Sequence, residues 1–161
     1  MEKQVTIVPA REEHLEKAGE IAIFAWTGIH ESYIANLGKE MHDHLFDGWE
    51  EAKVNGVKKG LMSGRGYIAL VDGEVAGFIY YRVEEEKSMG VVGENAVSKD
   101  FKGLGIGAKM YAFILDKMRE EGLKYATVHT GLDDGHAPAR HSYEKAGFKK
   151  NLPSIKYYME L

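Results

Sequence analysis

The sequence predicts an α/β fold of the α+β kind, in which helices flank both faces of a mixed, largely antiparallel sheet. Apolar residues recur at helical spacing through much of the first sixty or so positions, and they alternate with period two from position 66 to position 97. Two shorter helical segments, separated by a strand, complete the pattern. This order of elements is typical of helices that pack on a sheet of neighbouring strands.

The N-terminal part is predicted to hold one strand and two helical regions. The β-branched segment 4–8 ends at Pro9 and reads as a first strand. A helix is expected to start near Arg11, since apolar residues then fall on one face. A second helical region spans 38–63, where internal glycines argue against one unbroken helix. Between these helices we expect a polar and aromatic segment that holds Trp26, His30, Tyr33 and Asn36.

The central part is predicted to be a β-hairpin followed by a third strand. The strands are expected at 67–71 and 74–83, because Asp72-Gly73 between them is a two-residue hairpin signal. The charged segment 84–87 is expected to be a solvated turn, and 89–97 a third strand.

The C-terminal part is predicted to alternate helix and strand. A helix begins within the glycines near 105 and stops at Gly122. A strand at 125–130 and a helix at 137–146 follow, the helix with Pro138 in its first turn. The alternating, tyrosine-rich segment 155–161 is predicted to be a closing strand.

Composition limits the classes of function. The 161 residues are expected to form one domain, residues 1–161. The absence of cysteine excludes disulfides, thiolate catalysis and cysteine-based metal sites. A net charge of −4 without a basic block argues against nucleic acid as a partner. No signal core or membrane-length apolar run occurs, so we expect a cytoplasmic protein that does not use a membrane.

The segment Lys102-Gly103-Leu104-Gly105-Ile106-Gly107 joins a strand to a helix. Glycines allow positive φ and let a ligand approach the backbone, and the first amides of a helix favour a phosphate. A P-loop would need Lys-Ser/Thr after the last glycine, whereas Ala108 follows here. A dinucleotide-binding fingerprint would stand in the first strand–helix unit of the chain, whereas this turn follows a β-hairpin about two-thirds along it, so that reading is poor. A tight turn without a ligand is the remaining alternative.

At these residues the sequence resembles the GNAT superfamily of acyl-CoA-dependent N-acetyltransferases. The segment 102–107 is similar to that family's pyrophosphate motif, Arg/Gln-x-x-Gly-x-Gly/Ala, with lysine in place of arginine or glutamine. Tyr143-Glu144-Lys145-Ala146-Gly147-Phe148 resembles its Tyr-Glu-Lys-x-Gly-Phe signature, and the string at 136–140, His-Ala-Pro-Ala-Arg, resembles a recurrent subgroup. The resemblance covers nearly the whole chain and implies the GNAT fold, with acetyl-CoA as co-substrate and no metal.

The resemblance also implies roles for residues along the cofactor. Residues Lys102 to Ala108 would bind its pyrophosphate, and the backbone of Ala96 and Val97 would hold pantetheine and polarise the thioester carbonyl. Tyr143 would be the acid that protonates the departing thiolate, and a core tyrosine is the alternative. The further cofactor contacts that it implies are His136, Ala139 and Arg140. His136 could instead cap the helix, and Arg140 could face solvent.

The general base is left open between Glu94 and His129. Transfer needs a neutral amine, so a proton acceptor must stand near the acceptor. We place Glu94 ahead of His129, and a surface glutamate and a core histidine are the alternatives. Strand alternation requires one of Glu94 and Asn95 to face the acceptor side.

The acceptor pocket is expected to involve Trp26, His30, Tyr33 and Asn95. His42 and His44 could suggest a metal, but positions two apart do not share a helix face, so we expect surface histidines and no metal. The sequence therefore predicts an N-acetyltransferase that acts on an amine of a small molecule or peptide by direct attack in a ternary complex. A non-catalytic acyl-CoA-binding or sensor protein is the alternative. A homodimer is compatible with either.

Overall fold

The computed structural model describes residues 3–161, which include five strands, five α-helices and three short 3-10 helices. The strands are β1 Val5–Pro9, β2 Gly66–Val71, β3 Glu74–Glu84, β4 Met89–Val97 and β5 Tyr125–Val128. The helices are α1 Glu12–Leu37, α2 Lys39–Leu45, α3 Trp49–Leu61, α4 Ile106–Glu120 and α5 Ala137–Ala146.

The strands form one sheet in the order β1-β2-β3-β4-β5. The first four are antiparallel neighbours, and β5 alone among the described strands is parallel to its neighbour, β4. This mixed, mostly antiparallel sheet confirms the predicted fold class. No helix among residues 3–161 is long and apolar enough to span a bilayer.

Helix α1 is longer than the sequence analysis predicted. The segment with Trp26, His30 and Tyr33 was expected between two helices, and that expectation is wrong because it lies inside α1. No proline stands between Glu12 and Leu37, and Gly19 and Gly28 keep helical backbone conformations, so the chain turns only at Gly38, where φ is +82°. The second helical region does divide, at Gly48.

The β2–β3 hairpin was predicted correctly. Asp72 and Gly73 both adopt positive φ, at 51° and 87°, as a type I′ turn requires. That twist matches the twist of the flanking strands, so the two residues set the register in which Val71 pairs with Glu74.

The sheet is covered on both faces by apolar clusters. One face packs against α4, whose buried residues Ile106, Met110 and Ile114 lie over Ile79 and Val92. The other face packs against α1 and α3, where the fully buried side chains include Ala18, Ala22, Val57, Ile68 and Phe78. Burial of these side chains from water is the main stabilising term of the fold.

Strands β4 and β5 separate partway along their length. They pair only from Met89 with Tyr125 to Val92 with Val128. On its other side β4 is irregular, since Ile79 pairs with Asn95 but Tyr81 pairs with Val92, so that two residues oppose one. The bulge bends β4 away from β5 and leaves residues 93–97 without a strand partner on that side within the described chain.

The predicted closing strand at 155–161 is wrong. Residues 149–161 belong to no strand or helix and take part in no backbone hydrogen bond with the rest of the described chain. Alternation of apolar and polar residues specifies a two-faced strand but supplies no neighbour for its backbone. Among residues 3–161 the sheet ends at β5.

Candidate functional site

A cavity of about 1000 Å³ opens where β4 and β5 separate. Its walls come from α1, β4, the glycine turn with the start of α4, and the segment from the end of β5 to α5. Among the residues that line it are Trp26, Tyr33, Glu94, Asn95, Ala96, Val97, Lys102, Gly107, Tyr111, His129, Thr130, His136, Ala139 and Tyr143. The cavity therefore gathers residues that are far apart in the sequence around one space.

The glycine turn places the N-terminus of α4 at this cavity. Gly103 and Gly105 have φ of 83° and 67°, so their backbone conformation favours glycine, and Gly105 caps the helix. Gly107 differs, because its φ is not positive and a Cβ there would meet only Val97 Cγ2, at 3.9 Å. Neither backbone strain nor protein packing explains this glycine. Its bare amide face fits close approach of a phosphate group.

Thr130, on the segment that follows β5, carries a buried polar atom. Its Oγ1 atom is buried and has no hydrogen-bond partner among the described residues. Buried hydroxyls in proteins are normally paired, because leaving one unpaired costs about 1–3 kcal/mol. Thr130 lines the cavity, but its Oγ1 atom is closed to solvent and does not face the cavity space. The residues that do face the cavity fit coenzyme A, since the helix start at Gly107 suits its pyrophosphate and the unpaired segment of β4 suits its pantetheine.

Tyr143 belongs to a buried polar cluster on the α4 side of the sheet. Its ring meets that of Tyr111 edge to face, with centroids 5.6 Å apart, and the Tyr111 hydroxyl donates to Asn95 Oδ1. Burial raises the pKa of Tyr143, and hydrogen bonds with Asn95 and Tyr111 offset part of that rise. The phenol is therefore protonated at neutral pH and can donate to an anion.

Glu94 points to the opposite face of the sheet from Asn95, towards α1 and α3. Its Oε1 atom is paired with the ammonium of Lys53, and its Oε2 atom accepts a hydrogen bond of 3.2 Å from the Tyr80 hydroxyl. The Lys53 ammonium also lies over the Trp26 ring, 4.4 Å from its centroid. Burial, followed by the charge of Glu94, raises the pKa of Tyr80 to about 12, so Tyr80 remains a donor.

Small residues fix the position of Tyr80 beside Glu94. A Cβ on Gly60 or on Gly93 would lie within 2.3 Å of the Tyr80 ring. The ring therefore occupies space that only glycine leaves open on both α3 and β4. This packing holds the phenol against the carboxylate of Glu94.

His136 and Asp133 form a pair in the loop between β5 and α5. His136 Nδ1 lies 2.6 Å from Asp133 Oδ1, and the Ser32 hydroxyl donates to Asp133 Oδ2 at 2.9 Å. Burial raises the pKa of Asp133, but these hydrogen bonds together with the charge of His136 and a backbone hydrogen bond hold the pKa below its ordinary value. Arg140 donates to the carbonyls of Gly131 and Asp133, both at 2.8 Å, which ties the loop to α5.

His30 lies behind the cavity wall and is not among the residues that line it. It is 7% exposed, stacks on Trp49 with centroids 3.8 Å apart, and its Nδ1 lies 2.9 Å from His42 Nε2. Burial, followed by the charges of His42 and Lys53, lowers the pKa of His30 to about 4. The expectation that His42 is a surface residue is wrong, because it is 5% exposed and pairs with His30 across the α1–α2 contact. Among residues 3–161, no group of three or more His, Asp or Glu side chains could hold a metal ion.

The structure thus brings most of the predicted site residues together. Tyr143, Glu94, His129, Asn95, Trp26 and Tyr33 all reach the cavity, together with the cofactor candidates Ala96, Val97, Lys102, Gly107, His136 and Ala139. Ile106 is instead buried in the core, and Arg140 binds loop carbonyls. Gly103, Leu104, Gly105 and Ala108 surround the helix start without lining the cavity.

Sequence reasoning missed four residues that surround the predicted ones: Lys53, Tyr80, Tyr111 and Thr130. Lys53 and Tyr80 reach Glu94 from other elements, 41 and 14 positions away. No local sequence pattern indicates that Lys53 and Tyr80 contact Glu94. Tyr111 could have been found from the sequence, because it lies in the first two turns of α4, the helix that follows the glycine turn.

Comparison with known proteins identifies the family. Residues 24–148 match the model of the acetyltransferase (GNAT) family. The chain belongs to the GNAT acetyltransferase family. The resemblance noted in the sequence is confirmed at this level, while the His-Ala-Pro-Ala-Arg subgroup stays a prediction. Members of one family can acetylate different acceptors, so the family assignment does not name a substrate.

Three proteins illustrate what this GNAT protein is similar to. A mycothiol acetyltransferase of Cellulomonas flavigena is 30% identical over 95 residues, which is 53% of this chain and 27% of that protein. The chain thus matches only about a quarter of that relative's length. The PaiA N-acetyltransferase of Thermoplasma acidophilum, solved with coenzyme A, is 18% identical with a TM-score of 0.65, covering 91% of this chain and 90% of the other. The aminoglycoside N-acetyltransferase AAC(6')-Iy, solved with a CoA-linked acetylneamine bisubstrate analogue, is 15% identical with a TM-score of 0.62, covering 98% and 99%. At these identities the two structures show a shared fold.

Proposed function

We propose that this GNAT protein transfers an acetyl group from acetyl-CoA to an amine of a small molecule or peptide, by direct attack in a ternary complex. The observation that carries the proposal is the cavity itself. One side of the cavity holds the N-terminus of α4 with Gly107, the unpaired segment of β4 and the buried phenol of Tyr143. The other side holds the carboxylate of Glu94. Acetyl-CoA, when bound, supplies the acyl group and a thiolate leaving group.

The cofactor side of the cavity would be held mainly by backbone groups. The first amides of α4, with Lys102 beside them, would bind the pyrophosphate. The free edge of β4 at Ala96 and Val97 would pair with pantetheine as an added strand does, and an amide there would polarise the thioester carbonyl. Because backbone amides do this work, lysine at 102 in place of arginine or glutamine costs little.

Tyr143 would act as the acid. A thiol has an ordinary pKa near 8.5 and a phenol near 10, and burial raises the pKa of Tyr143 further. Complete proton transfer from the phenol to a thiolate is therefore uphill. Tyr143 would stabilise the developing thiolate mainly through a strong O–H···S hydrogen bond, and Tyr111 with Asn95 would orient the hydroxyl.

Glu94 would be the proton acceptor for the amine. Both of its oxygens already accept hydrogen bonds from Lys53 and Tyr80, so the amine proton would reach it through water or after Lys53 shifts. The acceptor would enter between Trp26, Tyr33 and Tyr80, aromatic groups that suit an amine carried on a partly apolar body. His129 lines the same cavity and remains the second candidate for the base.

The test is an acceptor screen with the purified protein and acetyl-CoA. Release of the CoA thiol that depends on an added amine, with an acetylated product of the expected mass, would support the proposal. The amines would include polyamines, aminoglycosides and peptides with a free N-terminus. Tight binding of acetyl-CoA in calorimetry without amine-dependent thiol release would favour the acyl-CoA-binding or sensor protein. Absence of acetyl-CoA binding would overturn both.

A further inference from the structure

The loop between β5 and α5 holds a carboxylate–imidazole pair that the proposed proton transfers do not use. His136 Nδ1 lies 2.6 Å from Asp133 Oδ1, and the two side chains are only 15% and 19% exposed. Although burial acts against them, the hydrogen bonds to Asp133 keep its pKa below the ordinary value, so this carboxylate is ionised at neutral pH. It therefore accepts a hydrogen from Nδ1, which leaves Nε2 as the unprotonated nitrogen of the neutral imidazole.

The Nε2 atom of His136 is available to a ligand. None of the hydrogen bonds within residues 3–161 involves it, and Thr130 Oγ1 is the only buried side-chain nitrogen or oxygen without a partner in that part of the chain. Nε2 is therefore open to solvent, and His136 lines the cavity. The imidazole stands beside the Tyr33 ring on α1, with centroids 6.0 Å apart, so it borders the space where the acceptor would enter.

Helix α1 and two glycines hold the pair in place. The Ser32 hydroxyl donates to Asp133 Oδ2 at 2.9 Å. A Cβ on Gly131 would lie 2.3 Å from Asp133 Oδ1 and 2.7 Å from His136 Nδ1. A Cβ on Gly135 would lie 3.0 Å from Asp133 Oδ2. Neither glycine has a positive φ, so the contacts of the pair, and not the backbone conformation, exclude a side chain at these two positions.

The proposed acetyl transfer needs a second proton acceptor. An acceptor that arrives as an ammonium loses two protons in becoming an amide, one before its nitrogen can attack and one as the C–N bond forms. Glu94 would take one of these protons, and the phenol of Tyr143 stays protonated. Another group at the cavity must therefore take the other proton.

We propose that His136, oriented by Asp133, takes the first of these protons from the acceptor ammonium at its Nε2 atom, directly or through one water. This role rests on the proposed function. The freed lone pair then forms the C–N bond while Glu94 receives the second proton through water. The C–S bond breaks, and the thiolate leaves with its electron pair, hydrogen-bonded to Tyr143. Asp133 stabilises the imidazolium until its proton passes to water, so that one proton ends on the CoA thiol and the other in solvent.

Other charged groups lie near this imidazole. Asp133 is within hydrogen-bond distance of the ring, and His129 could produce a similar response to pH because it lines the same cavity. The titratable and charged groups around His136 are Asp133 in its own loop, Tyr33 on α1, Arg140 on α5 and the further cavity residues Arg82, Glu94, Lys102 and His129.

The pH dependence of kcat/KM for the amine, at saturating acetyl-CoA, tests this role. An imidazole titrates between about pH 5 and 8 and its unprotonated form is the active one, so wild-type activity should fall as pH drops through this range. His136→Asn keeps a polar side chain at the start of α5 but accepts no proton. It should lower kcat/KM about 10²-fold at pH 7 and remove this limb of the profile. The defect should shrink as pH rises towards the pKa of the acceptor, since more of the acceptor is then neutral.

Matched variants separate proton transfer from cofactor binding. Asp133→Asn can present an N–H to Nδ1, which moves the hydrogen to Nε2, and it should lower kcat/KM at pH 7 by about ten-fold or more. His141→Asn changes an exposed histidine of the same helix and should leave the profile unchanged. CoA affinity in calorimetry should stay within a few-fold of wild type in all three variants. The proposal is overturned by a His136→Asn enzyme that keeps the limb, by a limb that His129→Asn removes instead, or by a ten-fold loss of CoA affinity in His136→Asn.

The tautomer of His136 provides a test that needs no acceptor. Long-range ¹H–¹⁵N spectra of the labelled protein at pH 8 should show the hydrogen on Nδ1 in the wild type and on Nε2 in Asp133→Asn, with the signal assigned by its absence in His136→Asn. A hydrogen on Nε2 in the wild type overturns the pair whatever the activity. A wild type that has the Nδ1 tautomer and binds acetyl-CoA but acetylates no amine overturns the proposed function, and the proton transfer with it.

Discussion

Tyr143→Phe removes the proposed acid and leaves its packing in place. The ring keeps its edge-to-face contacts with Tyr111 and Phe148, at centroid distances of 5.6 and 6.3 Å. Tyr111 and Asn95 stay hydrogen-bonded to each other, so neither of these buried polar groups loses all of its partners. The cost to the free energy of unfolding should be about 1 kcal/mol or less.

The catalytic cost of Tyr143→Phe should be much larger. A general acid contributes about 10²–10⁴ in rate, which corresponds to roughly 3–5 kcal/mol of transition-state stabilisation. Because the phenol acts on the leaving group, kcat should fall while the affinity for acetyl-CoA, measured by calorimetry, stays within a few-fold of wild type. The assay is continuous detection of the CoA thiol with the amine acceptor that the screen identifies.

The pH profile and a matched variant complete this test. Burial raises the pKa of Tyr143 above its ordinary value near 10. The acid therefore stays protonated as pH rises from 7 to 9, and Tyr143 should cause no fall in kcat over that range. Tyr111→Phe removes the neighbouring hydroxyl and should lower kcat less than Tyr143→Phe does. A Tyr143→Phe enzyme that turns over within about three-fold of wild type would refute the assignment.

Three further predictions concern the cofactor turn, the base and stability. Gly107→Ala should weaken CoA binding in calorimetry by ten-fold or more, because the new Cβ occupies the ligand's side of the helix start. The control is Gly56→Ala, which lies within α3 and is equally free of clashes; it should raise the melting temperature without changing CoA affinity. Glu94→Gln should lower kcat/KM for the amine by about 10²–10⁴ at neutral pH with CoA affinity unchanged, and equal rates for the variant and wild type would exclude Glu94 as the base. Burial lowers the pKa of His30 from 6.5 to about 4, so between these pH values the unfolded chain binds more protons than the folded one. The free energy of unfolding should therefore fall by about 1.4 kcal/mol for each pH unit as pH drops from 6.5 to 4. His30→Gln should flatten that part of the dependence in urea unfolding at pH 7, 6 and 5, and an unchanged slope would show that protonation of His30 is not its source.

The fold was predictable where local chemistry decides it. The Asp72-Gly73 turn, the glycine turn before α4 and the caps at Gly122 and Gly147 rest on backbone conformations that neighbouring residues fix. Errors arose where a local signal was absent or misleading. The polar aromatic residues after Trp26 resemble a loop, but they continue α1, and His30 and Tyr33 pack against Trp49 and Phe46.

The sequence alone determined the cofactor half of the candidate site, because glycine spacing and a strand-to-helix turn are local features that the structure retains. It also brought forward Tyr143 and Glu94, through a motif and a position on a strand. Only the tertiary structure decided their surroundings: the bulge that separates β4 from β5, the Lys53 and Tyr80 partners of Glu94, and the hydroxyl of Thr130 left unpaired within the described chain. It also decided that the backbone of segment 155–161 has no partner among residues 3–161. The physical reason is the same throughout, since the sequence sets which conformations and faces are available, and long-range contacts select what each face meets.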